Sequence, residues 1–142
     1  MSSKNKTNNN NKRRTLLWVV SFAATNVAAL LTDDESERDA LLPTMTEVTH
    51  IAYQVIKRHR TTMVRVNAME LLEEALLVEL RDLEGNDSLI RVPFAEIPLT
   101  KARLERCADF PMEALMNLCD LTDMVALFAY NLLTIDHYNL AA

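Results

Sequence analysis

The sequence predicts a mostly α-helical, single small domain of about five or six helices. The chain has 142 residues, which is long enough to bury one core, and 49% of them are apolar. It contains one glycine, whereas a typical chain has about 7%. Few turns with positive φ are therefore available to connect the strands of a large sheet. Apolar residues also recur at three- and four-residue steps, as they do on the buried face of a helix.

The first 31 residues combine a polar tail with an apolar run. Residues 1–14 are basic and asparagine-rich, a composition that predicts a disordered tail. The run Thr15–Leu31 has two interpretations. It is either the buried first helix of a single domain over 15–142, which we expect to be cytoplasmic, or a targeting or membrane-anchor segment. Its 17 residues are at the short limit for crossing about 30 Å of hydrocarbon.

Two helices are predicted between residues 32 and 60. Thr32–Glu35 has the pattern of a capping box, and the helix that follows should end near Leu42 because Pro43 disfavours helix in the residue before it. Thr44–Glu47 is a second such pattern, which predicts the start of another helix. The apolar stripe of that helix consists of Val48, Ile51, Ala52, Val55 and Ile56.

Residues 67–94 have two competing interpretations. In the first, a helix begins at Asn67 and ends near Gly85, which would be its C-terminal cap. In the second, an antiparallel β-hairpin spans about 76–94, with its turn at 84–87. We favour helix for 67–75 and leave 76–83 open, so an α+β domain is the alternative fold class.

The sequence of the C-terminal third predicts further helices. Thr100 can cap a helix through Cys107, and Asp109 with Pro111 can start another. The stretch that follows Asp123 is apolar on nearly every face, so we expect a central core helix or a helix that packs on a partner.

Charge and motifs exclude several function classes. Residues 33–142 contain all twenty acidic residues and ten of the fifteen basic ones, which argues against nucleic-acid binding by this part of the chain. The sequence has no phosphate-binding glycine loop, no Cys-x-x-Cys and no His-Glu-x-x-His. Cys107 and Cys119 lie in an acidic segment and should be unreactive thiols. We therefore expect neither an enzyme nor a metal site.

One stretch resembles a known family. Arg91-Val92-Pro93-Phe94 and Pro98-Leu99-Thr100 match, in order and spacing, the C-terminal domain of HugZ-type haem-utilisation proteins, over roughly residues 44–116. The family's helix opens with His-Met-Asn, where this chain has Thr44-Met45-Thr46 and then His50. The resemblance implies a helix followed by short antiparallel strands, haem or a related tetrapyrrole as ligand, and His50 as the contact residue.

These observations favour a small, acidic, non-enzymatic interaction module of the adaptor or regulatory kind. No Lys or Arg follows Arg106, and the apolar, methionine-rich segment after it suits a protein partner or self-association. The candidate partner-binding residues are Met112, Met116, Met124, Leu127, Phe128 and Tyr130. One alternative is a haem- or tetrapyrrole-binding domain that uses His50. Another is a small membrane-anchored protein that uses Thr15–Leu31.

Overall fold

A computed structural model describes residues 13–96, 112–135 and 139–141. Within these residues the chain forms three helices, a three-stranded sheet and a pair of short strands. In chain order the elements are β1 (Arg13–Thr15), α1 (Leu16–Leu31), α2 (Glu35–Arg58), β2 (Val64–Leu71), β3 (Ala75–Asp82), β4 (Asp87–Pro93), a 3-10 turn (Phe94–Glu96), α3 (Met112–Leu133) and β5 (Asn139–Ala141).

The prediction of a mostly helical domain with five or six helices is wrong, because the described residues form an α+β domain. The error lies at residues 67–75, where we favoured a helix. Most of this segment belongs to β2, which pairs antiparallel with β3. The strand β3 pairs in turn antiparallel with β4. Helix caps and helical spacing are local signals, whereas these hydrogen bonds join strands that are distant in sequence.

The β3–β4 hairpin is the alternative that the sequence also offered, and Gly85 lies in its turn rather than at a helix end. Gly85 has φ of +88°, a conformation that glycine adopts without steric cost. The carboxylate of Asp82 accepts hydrogen bonds from the N–H groups of Glu84 and Asn86, both at 2.9 Å. The hydrogen bond from the backbone N–H of Asn86, together with those from Glu84 and Gly85, lowers the pKa of the Asp82 carboxyl.

The first helix buries one face and leaves the other exposed. Its N-cap is Thr15, whose hydroxyl accepts a hydrogen bond of 3.0 Å from the N–H of Trp18. The buried residues are Leu16, Val19, Val20, Ala23, Ala24 and Val27. In the described part of the chain, no helix is long and apolar enough to cross a membrane.

The second helix is continuous from Glu35 to Arg58, so the predicted break at Pro43 and the second start at Thr44–Glu47 are both wrong. Pro43 has no N–H to donate to the carbonyl of Asp39. Its ring is exposed, so water can solvate this carbonyl and the helix continues. Glu47, which ends the pattern interpreted as that second start, is fully buried.

The core lies where α3 meets the rest of the molecule. This helix packs against α1, α2 and β2. Its contribution to the core includes Val125, Ala126 and Ala129, all fully buried. The stripe of α2 that the sequence identified, from Val48 to Ile56, is fully buried in the same cluster.

Replacing Pro43 with alanine should raise the free energy of unfolding by about 2 kcal/mol. Alanine restores the hydrogen bond to the carbonyl of Asp39, and a proline inside a helix costs about 3 kcal/mol relative to alanine before the unfolded state is considered. Urea denaturation of Pro43→Ala measures the change. As a control, Ala40→Pro should destabilise the same helix, and a loss of stability in Pro43→Ala would contradict the account.

Candidate functional site

The residues proposed on α3 do not share one exposed face. Met124 is 39% exposed, Leu127 and Phe128 are half-buried, and Tyr130 is only 3% exposed. The side chains of Met112 and Met116 lie outside the described residues. Of the described members of this set, Phe128 and Tyr130 contribute to the packing of α3 against the core.

Tyr130 has a structural role that the sequence did not indicate. Its hydroxyl donates a hydrogen bond of 3.1 Å to the carbonyl of His59, the C-cap residue of α2. Burial raises the pKa of Tyr130 well above its ordinary value, and a hydrogen bond from the backbone of Val64 opposes part of this rise. The phenol thus joins α3 to the turn between α2 and β2.

Replacing Tyr130 with phenylalanine should lower the free energy of unfolding by about 1 kcal/mol at neutral pH, because the His59 carbonyl loses its donor. The raised pKa means that the folded protein holds the phenolic proton more tightly than the unfolded chain. The contribution of Tyr130 to the free energy of unfolding is therefore complete below pH 10.0, the ordinary pKa of tyrosine. It decreases as the pH rises above that value. Denaturation of both proteins between pH 8 and 11 should show their difference shrinking above pH 10; a constant difference would contradict this.

Asp123 connects α3 to the edge of the sheet. Its carboxylate accepts a hydrogen bond of 2.7 Å from the N–H of Val66 and three more from Arg65, at 3.1, 3.3 and 3.4 Å. The pairing of β2 with β3 shifts register between Val66 and Ala68, so the carboxylate holds the edge strand beside a bulge. This cluster satisfies the backbone N–H of Val66 and pairs the charge of Arg65 with that of Asp123.

Cys119 is buried and unsuited to nucleophilic chemistry. Burial and the nearby carboxylates of Asp120 and Asp123 raise the pKa of Cys119 to about 11, so the thiol is protonated at neutral pH. Cys107 lies outside the described residues. Among the described residues, no group of three His, Cys, Asp or Glu side chains could hold a metal ion.

The surface most suited to binding is a groove of about 420 Å³ between α1 and α2. These helices are joined by residues 32–34 and pack against each other, so they form a helical hairpin. Each helix contributes residues three or four positions apart, which places them on one face. The residues that line the groove include Leu17, Ser21, Ala24, Thr25 and Ala28 of α1, with Arg38, Asp39, Leu42, Met45, Thr46, Thr49 and His50 of α2.

The threonines of the groove make it less polar than its composition indicates. Each hydroxyl donates to the carbonyl four residues earlier in its own helix: Thr25 to Ser21 (3.0 Å), Thr46 to Leu42 (2.9 Å) and Thr49 to Met45 (2.7 Å). A hydroxyl whose donor is already used costs less to remove from water. The groove therefore offers methyl groups and aliphatic side chains to a guest.

Charge is confined to one end of the groove. Arg38 and Asp39 lie in the first turns of α2, next to the connection from α1. His50 lies about three turns further along α2 and is half-buried. An apolar middle with a charged end is the usual arrangement of a binding groove, where polar groups at the rim orient the guest.

Sequence reasoning identified His50 but missed the rest of the groove. The available signal was that Ser21 and Thr25 share one face of α1. Thr46 was interpreted instead as part of a capping box, because the continuity of α2 through Pro43 was not evident from local sequence. Comparisons of this chain with protein-family models, with curated proteins and with solved structures found no match. Its function has to be inferred from the chemistry of these residues.

Proposed function

We propose that this protein is a small, acidic, non-enzymatic interaction module, and that the groove between α1 and α2 receives the apolar side of a helix from a protein partner. The observation that carries the proposal is the inward direction of the threonine hydroxyls. A surface whose donors are already satisfied loses little when a partner displaces its water.

The shape of the groove supports a helical guest. On α1 its floor is formed by small side chains, including Ser21, Ala24 and Ala28, which allow another backbone to approach closely. At its rim Leu42 is 59% exposed and Leu17 is 42% exposed. Partner helices commonly bind by placing residues at i, i+3, i+4 and i+7 into such a groove between helices.

This proposal places the partner surface on α1 and α2 instead of on α3, where the sequence suggested it. The packing of α3 against three other elements favours the change. Met124 remains an exposed apolar side chain on α3, and single exposed apolar residues are ordinary on protein surfaces.

The substitution Leu42→Arg tests the groove. We expect the folded wild-type protein to bind an apolar fluorescent dye, and Leu42→Arg to weaken that binding at least about tenfold, because a charge at the rim must be desolvated when a guest enters. The matched control is Leu83→Arg at the hairpin turn, since Leu83 is also an exposed leucine (76%) but lies outside the groove.

Dye titration of the three proteins gives the affinities, and sedimentation equilibrium gives their masses. If a second copy of the chain is the partner, the wild-type dimer should dissociate in Leu42→Arg and persist in Leu83→Arg. Equal dye binding by Leu42→Arg and wild type, with no difference in mass, would refute the groove as the binding surface.

A second candidate function is binding of haem or a related tetrapyrrole. The specific observation in its favour is that His50, the residue implied by the resemblance to haem-utilisation proteins, lines the groove. The succession of α2 and three antiparallel strands ending at Pro93 is also the order that this resemblance implies. Part of the matching stretch, including Pro98-Leu99-Thr100, lies outside the described residues.

Haem titration tests this candidate. If His50 ligates the iron, the wild-type protein should shift the Soret band with saturation at one haem per chain, and His50→Ala should weaken binding at least about tenfold. His59→Ala is the control, because His59 is a half-buried histidine of the same region that does not line the groove. An unchanged haem spectrum would reject tetrapyrrole binding and leave the helix-binding proposal standing.

A further inference from the structure

The outer face of α1 carries two neighbouring aromatic rings, the exposed Phe22 and the half-buried Trp18, which also packs against the core, and it has no charged side chain. None of the sixteen residues of α1 is charged. Trp18 and Phe22 lie one turn apart, and their rings are stacked with centroids 5.1 Å apart and planes 7° from parallel. Phe22 is 38% exposed. A helix face of this kind is suited to an environment less polar than water.

Basic residues adjoin this face at its N-terminal end. The guanidinium carbon of Arg14 lies over the ring of Trp18, 4.0 Å from its centroid. All five basic residues that precede α1 occur without an intervening acid: Lys4, Lys6, Lys12, Arg13 and Arg14. Residues 33–142 carry the opposite charge, with twenty acids against ten Lys and Arg.

The polar side chains next to the aromatic pair direct hydrogen bonds back into their own helix. The side-chain amide of Asn26 donates a hydrogen bond of 2.8 Å to the carbonyl of Phe22, and Thr25 donates to Ser21 at 3.0 Å. These bonds stay within the helix, so they persist when the face leaves water. The cost of moving this face into a lipid headgroup region is correspondingly reduced.

We propose that the N-terminal half of α1 attaches the protein peripherally to an anionic lipid bilayer. Phe22 enters the boundary between headgroups and acyl chains beside Trp18, while Arg14 binds the anionic headgroups. The opposite face of α1 remains in the protein core, so the helix lies on the bilayer and does not cross it. This goes beyond the groove, which lies on a neighbouring face of the same helix.

The distribution of acids determines which end of α1 is attached. Asp33, Asp34 and Glu35 follow the helix directly and are repelled by anionic lipid. The contact is therefore restricted to Arg14 and the part of α1 from Leu16 to Asn26, which is about 16 Å long. The acidic remainder of the chain then faces away from the bilayer.

A bilayer suits this face better than a nucleic acid does. Proteins that bind single-stranded nucleic acids stack bases on open aromatic faces. Here the half-buried ring of Trp18 is already in contact with Arg14 and stacked with Phe22, so it does not offer an open face to a base. Trp and Phe with adjacent basic residues are typical of helices at the membrane interface.

Vesicle sedimentation with the full-length chain tests the proposal, and Trp18 is a built-in reporter because it is the only tryptophan in the sequence. We expect binding to phosphatidylcholine vesicles in which about a third of the lipid is phosphatidylserine, and little binding to phosphatidylcholine alone. The emission of Trp18 should shift to shorter wavelength on binding.

Two substitutions separate the apolar and the electrostatic parts. Phe22→Ser should weaken binding about tenfold, because it removes an inserted ring. Replacing Arg14 with glutamine should weaken it about fivefold, because it removes one basic contact with the headgroups. The matched control Leu83→Ser removes another exposed apolar side chain and should bind like wild type, and circular dichroism verifies that each variant is folded.

Several results would overturn the proposal. They are absence of binding to anionic vesicles, equal binding to neutral vesicles, and binding that leaves the Trp18 emission and the Phe22→Ser affinity unchanged. Displacement of the vesicles by a single-stranded oligonucleotide that itself shifts the emission would assign the face to nucleic acid instead. Leu42→Arg should not affect vesicle binding, so failure of the groove and failure of the membrane contact are distinguishable.

Discussion

The position of α3 depends on the contact between Asp123 and the edge strand β2. A strand at the edge of a sheet has backbone groups without a neighbouring strand, and burying them without partners is costly. Here the carboxylate of Asp123 accepts the N–H of Val66 and pairs with Arg65. Because α3 also packs against α1 and α2, this contact connects the sheet to the helical layer. The hydroxyl of Tyr130, bound to the carbonyl of His59, connects the same helix to the end of α2.

The central place of α3 leaves α1 and α2 to supply the surface for binding. An apolar helix that packs against three elements has most of its side chains occupied, and the C-terminal third of this chain is such a helix. The first helix has the opposite arrangement, because only one face of it enters the core. Its remaining face is uncharged, and one side of it forms the groove with α2 while the other carries Trp18 and Phe22.

The groove and the outer face of α1 share one chemical feature. In both, side chains with hydrogen-bond donors turn back to the carbonyl four residues earlier, as Thr25, Asn26, Thr46 and Thr49 do. Such bonds do not depend on water, so they persist when an apolar partner covers the helix surface. The same residues would appear polar in any analysis of composition, since the direction of a hydroxyl is not encoded in the residue type.

The sequence alone determined the elements whose signals are local. These are the buried stripe from Val48 to Ile56 and, each as one of two interpretations, the helix over Thr15–Leu31 and a turn around Gly85. Only the tertiary structure decided between helix and strand at 67–75, because that segment has both helical spacing and strand-forming neighbours, and β2 gains its hydrogen bonds from β3. It likewise decided that α2 continues through Pro43, that Tyr130 is buried, and that His50 lies in a groove. Each of these depends on contacts between residues far apart in the chain, which local spacing does not encode.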